Sequence, residues 1–193
     1  MTSIDAVVIG CSAGGLQALK QILPTLCPTR AVPVLVACHT ASDDLRGLCD
    51  LLSAVSAWPV REAREREIAA PGVIQMAPSG YHLLVERSGE LSLSIDPRVS
   101  FARPSIDVLF ESAAIAYGTR LVGVVMTGAN HDGAQGLARV RHGGGIGVIQ
   151  DPDEAEVDVM PRAALAQAGA DQVLPLVRIG PFVSRLIDQR SEP

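Results

Sequence analysis

Aromatic residues are scarce in this chain: Phe, Trp and Tyr make up 3% of it, too few for the stacking platforms that hold single-stranded nucleic acid. Positive charge is also short, with 16 Lys and Arg against 21 Asp and Glu for a net charge of −5. That excludes a general attraction to nucleic acid or anionic lipid, though not a local basic patch. No apolar run approaches the roughly 18 residues needed to cross a bilayer, so no membrane insertion is expected. Met1-Thr2-Ser3 leads directly into an apolar strand, without the basic n-region and long h-region of a signal peptide, and a cytoplasmic location is expected. Cys11, Cys27, Cys38 and Cys49 form no C-x-x-C pair, and in a reducing compartment they are simplest as buried thiols. No cluster has metal-ligand spacing; neither a metal nor a cofactor is expected.

What is present is apolar. Hydrophobic residues are 48% and charged residues 19% of 193, a globular composition of a size for one α/β domain with a substantial core. We read residues 1–193 as one domain, without repeat or flexible linker. The stretch 4–10 is a short buried strand that runs into Cys11-Ser12-Ala13-Gly14-Gly15 and a helix over 14–23, with Pro24 to end or kink it. A second strand over 32–38 ends in His39. Asp43 or Asp44 is then placed to cap a helix with Leu45, Leu48, Cys49, Leu52 and Val55 on one face. This order is a parallel βαβ arrangement. The middle differs: short strands near 73–76 and 82–85, and an alternating 91–95, predict an antiparallel hairpin with one wet face. A loop over 96–104 follows, with Ser105 capping a helix to Tyr117. The βα pattern returns with strands at 121–126, 146–149 and 173–174 and helices at 133–141, 161–168 and 179–187.

Ser12 is the most informative residue. A hydroxyl at a strand–helix bend stands clear of the sheet, and the amides of the following helix point towards it. The string Gly10-Cys11-Ser12-Ala13-Gly14 also fits G-x-S-x-G in the strand–turn–helix context that motif needs. His39 and Asp132 fall at comparable strand ends, where sites form in open α/β sheets. Ser, His and Asp at three strand ends make a hydrolase the first hypothesis, although the order Ser, His, Asp is not that of the α/β-hydrolases. The plainer alternatives are Ser12 and Asp132 as helix caps, His39 as a structural histidine, His131 as the base and Cys11 as a thiol nucleophile. A dinucleotide-binding protein is the rival from another class. Gly10, Ser12 and Gly15 occupy the glycine places of G-x-G-x-x-G, but Ser12 would obstruct the pyrophosphate and His39 stands where a ribose-binding carboxylate belongs.

At these residues the chain resembles the catalytic domain of the chemotaxis protein-glutamate methylesterases, the CheB type, in order and over nearly its whole length. The strings that carry the resemblance are Val8 to Gly15, the strand ending in His39, Met76 to His82, Arg103 to Phe110, Gly123 to Gly128, Asp132 to Gly136 and Met160 to Ala164. The resemblance implies a single doubly wound, mostly parallel α/β sheet with helices on both faces and an antiparallel hairpin. It implies a Ser12, His39 and Asp132 triad that demethylates glutamate γ-methyl esters, and deamidates glutamines, on cytoplasmic helices of methylated chemoreceptors. Backbone N–H groups at Ala13 and, by the resemblance, Ala129 are oxyanion-hole candidates; Arg103 and Met160 are substrate-binding candidates. A catalytically weakened receptor-binding module is the alternative within the family.

The chain departs from the family's pattern in four places. Ala13 follows the serine where Thr is usual. Asn130, which tolerates a left-handed backbone, stands where a glycine is common. Thr40-Ala41-Ser42-Asp43-Asp44 replaces a Met-Pro-Pro-Gly-like segment. No receiver domain precedes Ile4, which implies a stand-alone member, a cut piece, or a system controlled through a separate regulatory protein.

Overall fold

A computed structural model describes residues 3–40 and 45–189. Seven strands form one parallel sheet in the order β3-β4-β2-β1-β7-β8-β9. They are β1 (Ala6–Cys11), β2 (Val34–Cys38), β3 (Val60–Glu62), β4 (Ile74–Met76), β7 (Leu121–Val125), β8 (Ile146–Gln150) and β9 (Gln172–Leu174). The hairpin of β5 (His82–Val85) and β6 (Leu91–Ser94) is a separate two-stranded sheet. It pairs Leu83 with Leu93 and Val85 with Leu91 and lies against α3 (Ile106–Tyr117).

Strand alternation distributes the apolar residues between two cores. Val7, Ile9 and Cys11 of β1 face α1 (Gly15–Ile22), α2 (Leu45–Ser53) and α6 (Leu176–Asp188), while Ala6 and Val8 join the core of α3, α4 (Ala134–His142) and α5 (Val159–Ala168). Both faces of the sheet are therefore covered, which explains why its central strands read as continuous apolar runs rather than alternating ones.

Most elements lie within one or two residues of the sequence reading, and three differences stand out. The edge strand β3 is absent from the sequence reading; its three residues grade from buried Val60 to exposed Glu62 and carry too short a pattern to stand out. The last helix begins at Leu176, so Pro181 lies inside it. The missing amide is tolerated because the helix buries Ile179, Val183 and Ile187 against the sheet. The fifth helix starts at Val159, which leaves Pro161 in its first turn. The expected cap of α2 by Asp43 or Asp44 lies outside the described residues.

Strand order reverses between β1 and β7: successive strands leave β1 towards β2 on one side, and run from β7 through β8 to β9 on the other. The crevice beyond the carboxyl ends at such a point is where open α/β sheets build their sites.

Candidate active site

The register of the sheet brings the first two site residues together. Cys11 of β1 lies opposite Cys38 of β2, so Ser12 and His39 are the next pair along, and the His39 amide donates to the Cys11 carbonyl at 3.0 Å. On the other side the Ser12 amide donates to the Thr127 carbonyl at 2.9 Å, carrying the β1–β7 ladder past both strand ends. Ser12 and His39 line one cavity of about 280 Å³ with Gln17, Leu48 and Glu156.

Asp132 completes the group from the loop between β7 and α4. Its carboxylate is fully buried and accepts from His39 Nε2 at 2.8 Å. It also accepts from the Ser105 hydroxyl at 2.8 Å and from the amides of Ile106 at 2.7 Å and Asp107 at 3.0 Å. These donors are the cap and first turn of α3, whose N-terminal amides have no partner within the helix. Ser105 is that cap, accepting from the Val108 amide. Burial alone would raise the Asp132 carboxyl, but the bonds from His39, the two amides and Ser105 hold it below the ordinary value. An ionised carboxylate only accepts, so Nε2 carries a proton, and in the neutral imidazole the lone pair is then on Nδ1.

Asp107 repays the contact. From the first turn of α3 its Oδ1 accepts from the amides of Gly133 at 2.8 Å and Gly136 at 2.7 Å, the N-terminus of α4. The loop leading into α4 thus supplies the acid for the first turn of α3, and α3 supplies the acid for the start of α4. Burial pushes the Asp107 carboxyl up to about 6, against the two amides and with help from the adjacent Asp132 charge. The sequence marks Ser105 as a cap and points to no role for Asp107. Nothing in residue spacing says that α3 and α4 start at the same point.

The remaining candidates divide. The amides of Ala13 and Ala129 donate to no acceptor among the described residues, as an oxyanion hole requires before substrate arrives. The Thr127 hydroxyl donates to the Ala13 carbonyl at 2.9 Å and accepts from the Val157 amide at 2.9 Å, fixing the turn after Ser12. Met160 is fully buried and sits behind the site rather than on its surface. A Cβ at Gly128 would lie 2.6 Å from Met160 Cε and 2.9 Å from the Ser12 Cβ, so only glycine lets these residues close around it. Arg103 borders a second cavity, on the other side of His39.

Asn130 does not adopt the left-handed backbone it could tolerate. Its φ is not positive, and its Oδ1 instead accepts from the Asp132 amide at 3.1 Å, an Asx turn in place of a glycine turn. His131 is exposed, while the bond to Asp132 belongs to His39. Cys11 is buried, and its hydrogen bond with Cys38, together with burial, raises its thiol well above the ordinary value. A thiol so placed is a poor nucleophile. Gly10 admits no Cβ because Ile106 Cγ2 would lie 2.3 Å away, so its smallness is used by α3 packing.

Comparison with known proteins agrees with this architecture. A family model described as CheB methylesterase matches residues 7–183. A relative from Leptospira interrogans is 43% identical over 182 residues, with 94% of each chain covered. A relative from Symbiobacterium thermophilum, named protein-glutamate methylesterase/protein-glutamine glutaminase, is 39% identical over 183 residues; the match spans 95% of this chain and 51% of that protein. The crystal structure of the Thermotoga maritima CheB methylesterase catalytic domain superposes with a TM-score of 0.90 at 30% identity, covering 96% of this chain and 100% of that one. With a matching family model over residues 7–183 and an overall structure that superposes on that domain, the chain belongs to the CheB methylesterase family.

Proposed function

We propose that the chain hydrolyses γ-glutamyl methyl esters on chemoreceptor helices through an acyl-enzyme on Ser12. The observation that carries this reading is the His39 Nε2–Asp132 bond of 2.8 Å, which frees Nδ1 to serve as the base for Ser12, the residue one step past the paired strand ends. His39 Nδ1 takes the Ser12 proton as Oγ attacks the ester carbonyl carbon. The oxyanion that forms is held by the amides of Ala13 and Ala129; one such donor is worth roughly 3–4 kcal/mol of barrier. The imidazolium returns its proton to the leaving methoxy oxygen and methanol departs. Water, deprotonated by His39, then attacks the acyl carbon and releases glutamate and Ser12. Asp132 stays ionised throughout and stabilises the imidazolium.

The same acyl-enzyme forms from a glutamine side chain with ammonia as the leaving group, so deamidation needs no further residue. Methanol release from radiomethylated receptor membranes tests the reading. The protein should release volatile label, and Ser12→Ala should abolish release without altering the fold. Full release by a folded Ser12→Ala protein would overturn it.

A further inference from the structure

The cavity beyond His39 has features that cleaving an ester does not require. Its wall is a two-residue turn in which Val99 and Ala102 exchange backbone hydrogen bonds of 3.2 and 2.9 Å. The central residues Ser100 and Phe101 both take left-handed backbone, with φ of 50° and 62°. Asn and Gly are the ordinary occupants of such positions, and a phenylalanine there is an outlier of the kind that collects at binding sites. Phe101 is one of three phenylalanines in the chain, yet it is 92% exposed, and Ile95 at the base of the same loop is 72% exposed.

The loop is also clamped. His82 accepts from the Ser105 amide through Nδ1 and donates from Nε2 to the Pro97 carbonyl, each at 3.1 Å. Arg103 Nη1 donates to the carbonyls of Ile95 at 2.6 Å and Asp96 at 3.0 Å. Phe101 is therefore displayed on a braced support, so little ordering remains to be done when a partner arrives. The charged residues lining this cavity of about 220 Å³ with His39 and Phe101 are Arg98 and Arg103, a basic spot on a chain of net charge −5. His39 and Thr40 line both this cavity and that of Ser12. A ligand that reaches Ser12 and also covers Phe101 is a single extended body.

We propose that the Phe101-tipped turn is a docking element for the substrate helix, taking an apolar residue of an acidic amphipathic segment on Phe101 and its carboxylates on Arg98 and Arg103. This rests on the ester-hydrolysis reading above. Each turnover leaves a new glutamate on such a helix, so the complementary charge is generated by the reaction itself. Anchoring a helix away from its modified residue also gives selectivity that a free methyl ester would not experience.

The test uses two substrates and a binding measurement. On methylated receptor membranes, Phe101→Ser should raise KM about ten-fold with kcat held within two-fold, the size expected for loss of one aromatic anchor. Arg98→Gln should act in the same direction, more weakly as salt rises. Neither change should alter turnover of a small soluble glutamate γ-methyl ester. In a Ser12→Ala background, Phe101→Ser should weaken co-sedimentation with the membranes by the same factor. Unchanged KM and co-sedimentation in both variants overturn the docking role, as does an equal loss on the small ester, which would make the turn part of the site's shape. Failure of the unmodified protein to release methanol from receptor while it still cleaves the small ester breaks the substrate reading instead. Failure of Ser12→Ala protein to sediment with the membranes overturns the docking proposal as well.

Discussion

Asp132 and Asp107 sit on the two sides of one helix–helix contact and do the same structural work, each accepting from the start of the opposite helix, yet their acidities move in opposite directions. Asp132 receives four donors, including the imidazole N–H and the Ser105 hydroxyl. Asp107 receives two amides and faces a neighbouring negative charge. Burial opposes ionisation of both, so the number of donors and the sign of the neighbour decide the outcome. The carboxylate bonded to His39 has the donors, and the one behind it meets the repulsion.

The comparison breaks most visibly at Asp132. Asp132→Ala should lower the methanol-release rate by about 10⁴-fold, as loss of the orienting acid does in the template triads. It should also lower the melting temperature, because the amides of Ile106 and Asp107 lose a shared acceptor. A rate within ten-fold of the parent would mean that Asp132 serves the fold alone.

Gly128→Ala tests whether geometry around Ser12 matters independently of the carboxylates. The added Cβ must displace either Met160 or the Ser12 Cβ. A shift of about 1 Å at a nucleophile costs roughly 10²-fold in rate. Kinetics and a thermal melt on the same sample separate this from unfolding.

Asp107 should have the smaller effect, and mainly on stability. Asp107→Ala leaves the amides of Gly133 and Gly136 without their acceptor, a loss of about 1–2 kcal/mol by analogy with helix caps, or several degrees of melting temperature. Its pH dependence has a definite sign. With its carboxyl at about 6 against an ordinary 3.8, the folded protein binds a proton that the unfolded chain releases between those values. The stability from this group is complete below that window and declines as pH rises through it. Asp132 runs the other way, stabilising at neutral pH and losing its contribution as pH falls through its lowered value. Denaturant melts from pH 4 to 7 should show the Asp107 slope in the parent and not in Asp107→Asn. The same slope in both would assign it to another group.

Much of this was legible in the residues. The apolar runs of β1, β2, β7 and β8 are strong because both faces of each strand are covered, and the positions of Ser12, His39 and Asp132 at their carboxyl ends follow from strand order. The hidden part is what brings distant segments together. Ser105 reads as a cap, but its hydroxyl serves Asp132 as well, because α3 begins at the carboxyl end of the sheet. Asn130 suggested a left-handed turn, but an available side-chain acceptor offered a cheaper one. The last helix reads as starting at 179, but it begins at Leu176, three residues earlier, because the residues ahead of 179 carry too weak an apolar pattern to mark the first turn.

The central claim is that Ser12 is the nucleophile and that His39, held by Asp132, activates it. Labelling with a fluorophosphonate tests it most directly, because a serine activated in this way attacks phosphorus with loss of fluoride, while an ordinary hydroxyl does not. Peptide mass mapping should place one phosphonyl group on Ser12. The label should be absent in Ser12→Ala and formed far more slowly in His39→Ala and Asp132→Ala. Label on Cys11 or on another serine, or labelling of Ser12 that is indifferent to His39, would contradict the account.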